Sequence, residues 1–215
     1  MIQIIPRFSI YGGIEMFKTI RLIPVLAAIS ILVGCAPQDS LFPLFNKDDN
    51  VFEKQLLGEW QVKNQTDAKQ DPSEKPASVI FSAAEAESNY DVTIPKFNDA
   101  GGTLRATARL VRLGAYLFID LETPDTEKLQ DIPYPAIEGH VFGRLTFKSD
   151  TARIDFLNDD WVTKQADAGT LGLSYVKGPN SKLLSSGTAE LRKFALEHAE
   201  DHDAFSESYI LTRHK

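Results

Sequence analysis

Apolar residues recur at every second position through much of this chain, in short segments separated by turn-forming residues. In "NYDVTIP", Tyr90, Val92 and Ile94 fall on one side and Asp91 and Thr93 on the other. "TLRATARLVRL" places Leu104, Ala106, Ala108 and Leu110 together, opposite Arg105, Thr107 and Arg109. "GHVFGRLTF" aligns Val141, Gly143, Leu145 and Phe147, and "ARIDFL" aligns Ala152, Ile154 and Phe156. A period of two belongs to a half-buried strand. "SVIFSA" from Ser78, the apolar run "AYLFIDLE" after Gly114 and "SYILTR" at Ser208–Arg213 read as further strands. "FNDAGG" and "KSDTA" supply turn chemistry between them. Successive hairpins at this spacing predict a mainly β, antiparallel barrel of about eight strands.

The period lengthens to 3.6 in two places. "NDDWVTKQAD" opens with Asn and Asp, which cap and charge a helix start favourably. In "AELRKFALEHAED", Leu191, Phe194, Ala195 and then His198 or Ala199 form a helical stripe, with Thr188 as the expected cap. These predict one short helix and one longer C-terminal helix. A helical turn is also expected at about Asp49–Leu56, behind Asp and Asn.

The N-terminus follows another pattern. Leu22 to Gly34 carries no charge, Lys18 and Arg21 precede it, and the polar "APQDS" follows. A cationic start, a short apolar stretch and small residues at a cut site describe a secretory signal. A membrane-spanning helix needs roughly 20 apolar residues. The stretch ends in Leu32, Val33, Gly34 and Cys35, the one cysteine of the chain. "LVGC" resembles the bacterial lipoprotein signal, with Leu32, Val33 and Gly34 as the signal-peptidase recognition residues. That resemblance implies cleavage before Cys35 and a diacylglyceryl thioether on its sulfur. Each buried methylene contributes about 0.8 kcal/mol, and two or more acyl chains hold a protein firmly on a bilayer. Residues 1–34 are therefore expected to be a signal peptide, with Met16 as the alternative true start. Residues 35–48, with two prolines and no helical period, are expected to be a lipid-anchored tether. Residues 49–215 are expected to be a single domain. Leu41, Phe42, Leu44 and Phe45 are apolar enough to lie on that domain or on the membrane. Ala36 stands where an Asp would resemble an inner-membrane retention signal, so the expected location is the outer membrane, facing the periplasm.

Charge narrows the partners. Loss of residues 1–34 removes Arg7, Lys18, Arg21 and Glu15, so the net charge of −7 becomes −9. An acidic body of this kind argues against nucleic acid. With no second cysteine, stability must come from burial.

"LLGEW" at Leu56–Trp60 resembles the G-x-W start of lipocalins and other calycins. In those barrels the Trp closes one end and an Arg of the last strand packs across it. The resemblance assigns these roles to Trp60 and Arg213; no second lipocalin motif of the T-D-Y type is present. "NVFEKQLLGEW", "HVFGRLTF", "LNDDWV" and "ELRKFALEHAEDHDAF" are similar to a recurring group of uncharacterised bacterial lipoproteins, a likeness that brings no activity with it.

Candidate chemistry is sparse. His198 and His202 stand four apart, one turn of a continuing helix, a spacing that can present two imidazoles to a metal. Histidines near a helix C-terminus, favoured by the dipole when protonated, are the plainer explanation of the pair. His140 precedes a strand, near Tyr134, Glu138 and Asp120, and is a candidate general base or a histidine fixed by a loop carbonyl. Ser174 and Lys177 form an S-x-x-K without its companion motifs. Asp159 and Asp160 read as helix-capping carboxylates. No cofactor is implied. The leading expectation is a non-catalytic, lipid-anchored envelope protein. It reaches the membrane through Cys35 and binds an apolar ligand or a periplasmic protein. The alternatives are a periplasmic hydrolase using His140 or His198/His202, and an assembly protein acting through contacts alone.

Overall fold

In the computed structural model the described residues are 37–49, 51–65, 77–85, 88–95, 102–122, 139–178 and 182–213. Residues 1–36, with the expected signal peptide and Cys35, lie outside them. Eight antiparallel strands close into a barrel: β2 (Gly58–Asn64), β3 (Ala77–Ala83), β4 (Asn89–Ile94), β5 (Leu104–Leu113), β6 (Tyr116–Glu122), β7 (His140–Lys148), β8 (Thr151–Phe156) and β11 (Glu207–Arg213). Each pairs with its neighbour in that order, and β11 pairs back onto β2 with Arg213 opposite Trp60. This is the architecture the alternation predicts, with both expected helices present.

The inward face follows the period of two. Trp60, Val79, Phe81, Tyr90, Val92, Ala108, Leu110, Leu117, Ile119, Leu145, Ala152, Ile154, Phe156 and Leu211 form one core inside the barrel. Gly143 faces inward opposite Phe156, and a Cβ there would lie 2.8 Å from the Asp155 carbonyl oxygen and 2.9 Å from Phe156 Cα. Only a glycine admits that approach.

A second core lies outside the wall. Val111, Leu113, Phe118 and Phe142 point outward from β5, β6 and β7 and pack against Leu157, Val162, Leu191, Phe194, Ala195 and Phe205. This explains why "YLFIDLE" reads as an apolar run rather than an alternation: both faces of β6 are covered. The covering elements are α1 (Asp159–Asp167), α2 (Thr188–Glu197) and the hairpin of β9 (Tyr175–Lys177) and β10 (Lys182–Leu184), all inserted between β8 and β11. Asn158 caps α1, its Oδ1 accepting from Trp161 N at 2.8 Å.

Two local expectations are corrected. Thr188 does not cap α2; Gly187 holds that position, and the Thr188 hydroxyl donates instead to the Pro43 carbonyl at 2.7 Å. The helical turn before Trp60 is a 3-10 turn of only Lys54–Leu56, with no side-chain cap. Val51 bridges to Leu110, and Asp49 is spent on a 2.5 Å ion pair with Arg192 and on the Asn46 amide.

From Pro37 to Asp49 the chain lies along the barrel wall. β1 (Asp39–Ser40) pairs with β7 on one side and with β10 on the other. Gln38, Ser40 and Leu44 are buried, whereas Phe42 is 45 % exposed. Among the described residues no helix is long and apolar enough to cross a membrane.

Candidate functional site

The two ends of the barrel differ. One end is marked by Gly58, Ala83, Leu113, Lys148 and Arg213; the other by Ala77, Ile94, Leu104, Glu122, His140, Phe156 and Glu207.

At the first end Trp60 is buried to 1 %, and its Nε1 donates to the Leu56 carbonyl at 2.8 Å. The Arg213 guanidinium carbon sits 4.0 Å from the Trp60 ring centroid, close enough for attraction to the ring face. The same guanidinium donates to the carbonyls of Leu57 and Gln55. Gly58 has φ +113°, and a Cβ on it would lie 2.8 Å from Arg213 Nη1. The glycine of G-x-W is thus set by the chain's own geometry. Phe52 stacks on Tyr90 at 4.8 Å, and the Tyr90 hydroxyl accepts from the Glu53 amide at 2.6 Å. Burial pushes the Tyr90 phenol above its ordinary value, and the Glu53 charge adds to the rise.

Several inward-facing residues lose cover toward the second end, as Phe147 alone among the inward residues of β7 does at the first. Val62, Ile94, Ala106, Leu121, Val141 and Tyr209 are only half-buried, although they share the inward face with residues that are fully buried deeper in. Leu104 is half-buried there too. The segments joining β2 to β3, β4 to β5 and β6 to β7 at this end lie largely outside the described residues. Glu207 also faces inward here, opposite Phe156, and is 1 % exposed. Sequence reasoning missed it. The signal was present, since the alternation of Leu211 and Tyr209 carries back two positions onto Glu207.

The histidines occupy other places. His140 lies on the outer face of β7, its Nδ1 2.8 Å from Asp120 Oδ1, and Asp120 Oδ2 accepts from the Leu44 amide at 2.5 Å. Phe45 packs edge-on to the His140 ring, and Arg109 lies over the other ring of this group, that of Phe45, at 4.3 Å. Asp120, on the neighbouring strand, is thus a side-chain partner of His140. Tyr134 and Glu138 fall outside the described residues. Ser40 is paired with His140 across β1, but its hydroxyl donates to the Phe42 carbonyl at 2.9 Å. The group therefore contains Ser, His and Asp without a serine hydroxyl directed at the imidazole.

His198 and His202 do not share a helix face. α2 ends at Glu197; His198 is its C-cap, packed against Phe194 and Trp161, and its Nδ1 is 3.6 Å from Asp201. His202 lies exposed in the turns that follow. Among the described residues no three His, Cys, Asp or Glu side chains converge as metal ligands would. Lys177 belongs to a strand, and Ser174 immediately precedes it; positions three apart on extended chain point to opposite sides, so the S-x-x-K cannot work as a pair. Ser174 lines instead an open groove of about 510 Å³ with Gly172, Leu173, Ser185, Ser186, Gly187 and Glu190. This groove is polar and lies outside the barrel.

The chain matches no protein-family model, no curated protein and no solved structure.

Proposed function

We propose that this chain is a lipid-anchored cell-envelope protein, carried on a diacylglyceryl thioether at Cys35, whose barrel takes up an apolar small molecule through its less covered end. The observation that carries the binding part is the graded burial of one inward face. Trp60, Leu110 and Ile119 are fully enclosed, whereas Val62, Ile94, Leu121, Val141 and Tyr209 are half-open on the same surface. A pocket lined mainly by apolar side chains with few polar groups suits a hydrophobic ligand. The anchor part rests on "LVGC" and the lone cysteine of the sequence. The outer membrane, with the barrel in the periplasm, is the location this reading carries.

The role proposed is binding rather than catalysis. His140 supports this: its Nδ1 faces Asp120 and its ring packs on Phe45, so the imidazole joins the segment from Pro37 to Asp49 to the wall.

Native mass spectrometry of protein extracted from membranes tests both parts. The expected spectrum shows Cys35 carrying acyl mass and a co-purifying apolar molecule. Substitution of Val141 by Arg, at the half-open end, is expected to abolish the second signal and leave the first. A free Cys35 thiol ends the anchor reading. A ligand retained unchanged in Val141→Arg ends the assignment of the site.

A further inference from the structure

The position of the segment Pro37–Asp49 determines how an anchored barrel would meet its bilayer. A free tether of this length would let the body stand well away from the membrane. Here it is bound: Pro37 bridges to Asn158, the Gln38 amide donates to the Leu157 carbonyl at 2.9 Å, and the Gln38 side chain donates to the Lys182 carbonyl at 2.5 Å. Cys35 precedes Pro37 by two residues, which span at most about 7 Å. The acyl chains would therefore enter the bilayer directly beside this flank.

β10 adjoins that flank through the Lys182 carbonyl, and the N-terminus of α1 adjoins it through Asn158. β10 runs parallel to β1, and β9 lies outside β10 as the last strand of the sheet. Two strand spacings, about 10 Å, separate β9 from β1. All three residues of β9 are exposed, with Val176 at 54 % and Tyr175 at 37 %. Val176 shares its face with half-buried Leu183, its partner across the hairpin. An apolar edge strand left bare invites pairing with other chains unless something covers it. Lys177 adds a long cationic side chain of the kind that lies along an apolar–water boundary with its charge in water.

We propose that the β9–β10 hairpin, through Val176 and Leu183, is a bilayer-contacting surface that rests in the headgroup layer beside the anchor. The inference rests on the Cys35 anchor proposed above. It assigns the exposed apolar edge an occupant, the lipid surface. It also fixes the side of the barrel that faces the membrane.

The lone cysteine makes the test direct. In the acylated protein, Val176→Cys or Ser82→Cys introduces the one free thiol. Ser82 is exposed on β3, across the barrel from β7. The full chain is expressed, extracted and reconstituted in phosphatidylethanolamine–phosphatidylglycerol vesicles, and each thiol is labelled with an environment-sensitive fluorophore. Cys35 acylation is read by mass spectrometry on the same preparation. Nitroxide-bearing lipids are expected to quench the label at position 176 several-fold more than the label at 82, with aqueous iodide giving the reverse order. Equal quenching on an acylated protein overturns the hairpin contact and leaves the anchor standing. An unacylated Cys35 overturns both. Both substituted positions are exposed, and circular dichroism checks that the fold is kept.

Discussion

Replacing Gly58 by Ala isolates what holds the Trp60 end of the barrel. Two costs arise. A φ of +113° is a backbone conformation that an L side chain adopts only with strain, on the order of 1–3 kcal/mol. The new Cβ would also stand 2.8 Å from Arg213 Nη1, so the guanidinium must move. A free Arg tip would move cheaply. This one is held 4.0 Å from the Trp60 ring and by the carbonyls of Leu57 and Gln55. Its displacement should cost about 0.5–2 kcal/mol from the ring contact. The total is about 1.5–5 kcal/mol, a large part of the roughly 5–15 kcal/mol that stabilises a folded domain. At about 2–4 °C per kcal/mol for a chain of this size, the melting temperature should fall by on the order of 10 °C.

A double-mutant cycle separates the two costs. With Arg213→Ala in place, Gly58→Ala keeps its backbone strain and loses its collision. Its penalty should then shrink by about 0.5–2 kcal/mol, the share owed to the ring contact. The assay is thermal unfolding followed by Trp60 fluorescence in a Trp161→Phe background, which removes the second of the chain's two tryptophans. If the two substitutions add to within about 0.3–0.5 kcal/mol, the usual result for independent sites, the guanidinium does not dictate the glycine and the reasoning fails.

Three further perturbations reach other parts of the molecule. Gly143→Ala should destabilise by about 1–3 kcal/mol, as overpacking does, because the atoms it meets are the backbone of Asp155 and Phe156; an unchanged denaturation midpoint would contradict this. Asp120→Ala removes the acceptor of both the Leu44 amide and the His140 Nδ1, a loss of about 2–6 kcal/mol at 1–3 per buried group. Limited proteolysis should then cut between Pro37 and Asp49 first, and protection equal to the wild type would refute the role of Asp120 in holding that segment. Asp39 and Asp159 are both held above the ordinary carboxylate range, mainly by loss of surrounding water, with the Asp159 charge adding to the rise at Asp39. A carboxylate raised in the folded state destabilises it above that raised value, and the penalty vanishes as pH falls below the unfolded value. Asp39→Asn should therefore raise the melting temperature at neutral pH and have little effect in acid; a fall at neutral pH would reverse the sign.

The legible parts of the fold were those governed by one-sided burial. β4 and β8 show an apolar face inward and a polar face outward, and β5 and β7 do so over part of their length, so alternation located them and their facing. β6 hid its facing because α1, α2 and the chain around Leu44 cover its outer side, making Phe118 as buried as Ile119. Phe142 was hidden for the same reason: an outward Phe between inward Val141 and Gly143 has meaning only once the second core exists. β9, β10 and β1 were illegible because short strands added outside a barrel are set by tertiary pairing. Thr188 misled because capping propensity is local, while the Pro43 carbonyl it binds is distant in sequence. At the candidate site, "GEW" and Arg213 pointed to the ring contact found at one end. Asp120 was already a candidate neighbour of His140; β6 and β7 bring the two together by pairing Asp120 with Phe142, two residues along the same face from His140.

The two cores also bear on how binding and anchoring could coexist. The inward core is enclosed by eight strands whose pairing is complete without α1 or α2, since β11 returns to both β8 and β2. The outer core carries the helices, the hairpin and the segment leading from Cys35. Its contacts fall on the outer faces of β5, β6 and β7, whereas the half-open residues Val62, Ile94, Val141 and Tyr209 lie on the inner faces at one end. A bilayer pressed against the hairpin would therefore load the outer wall and leave the inward apolar surface free to accept a ligand. Asp120 stands on β6 between inward Ile119 and Leu121 and, on the outer face, accepts from the Leu44 amide. β6 therefore carries the inward core on one face and the segment around Leu44 on the other.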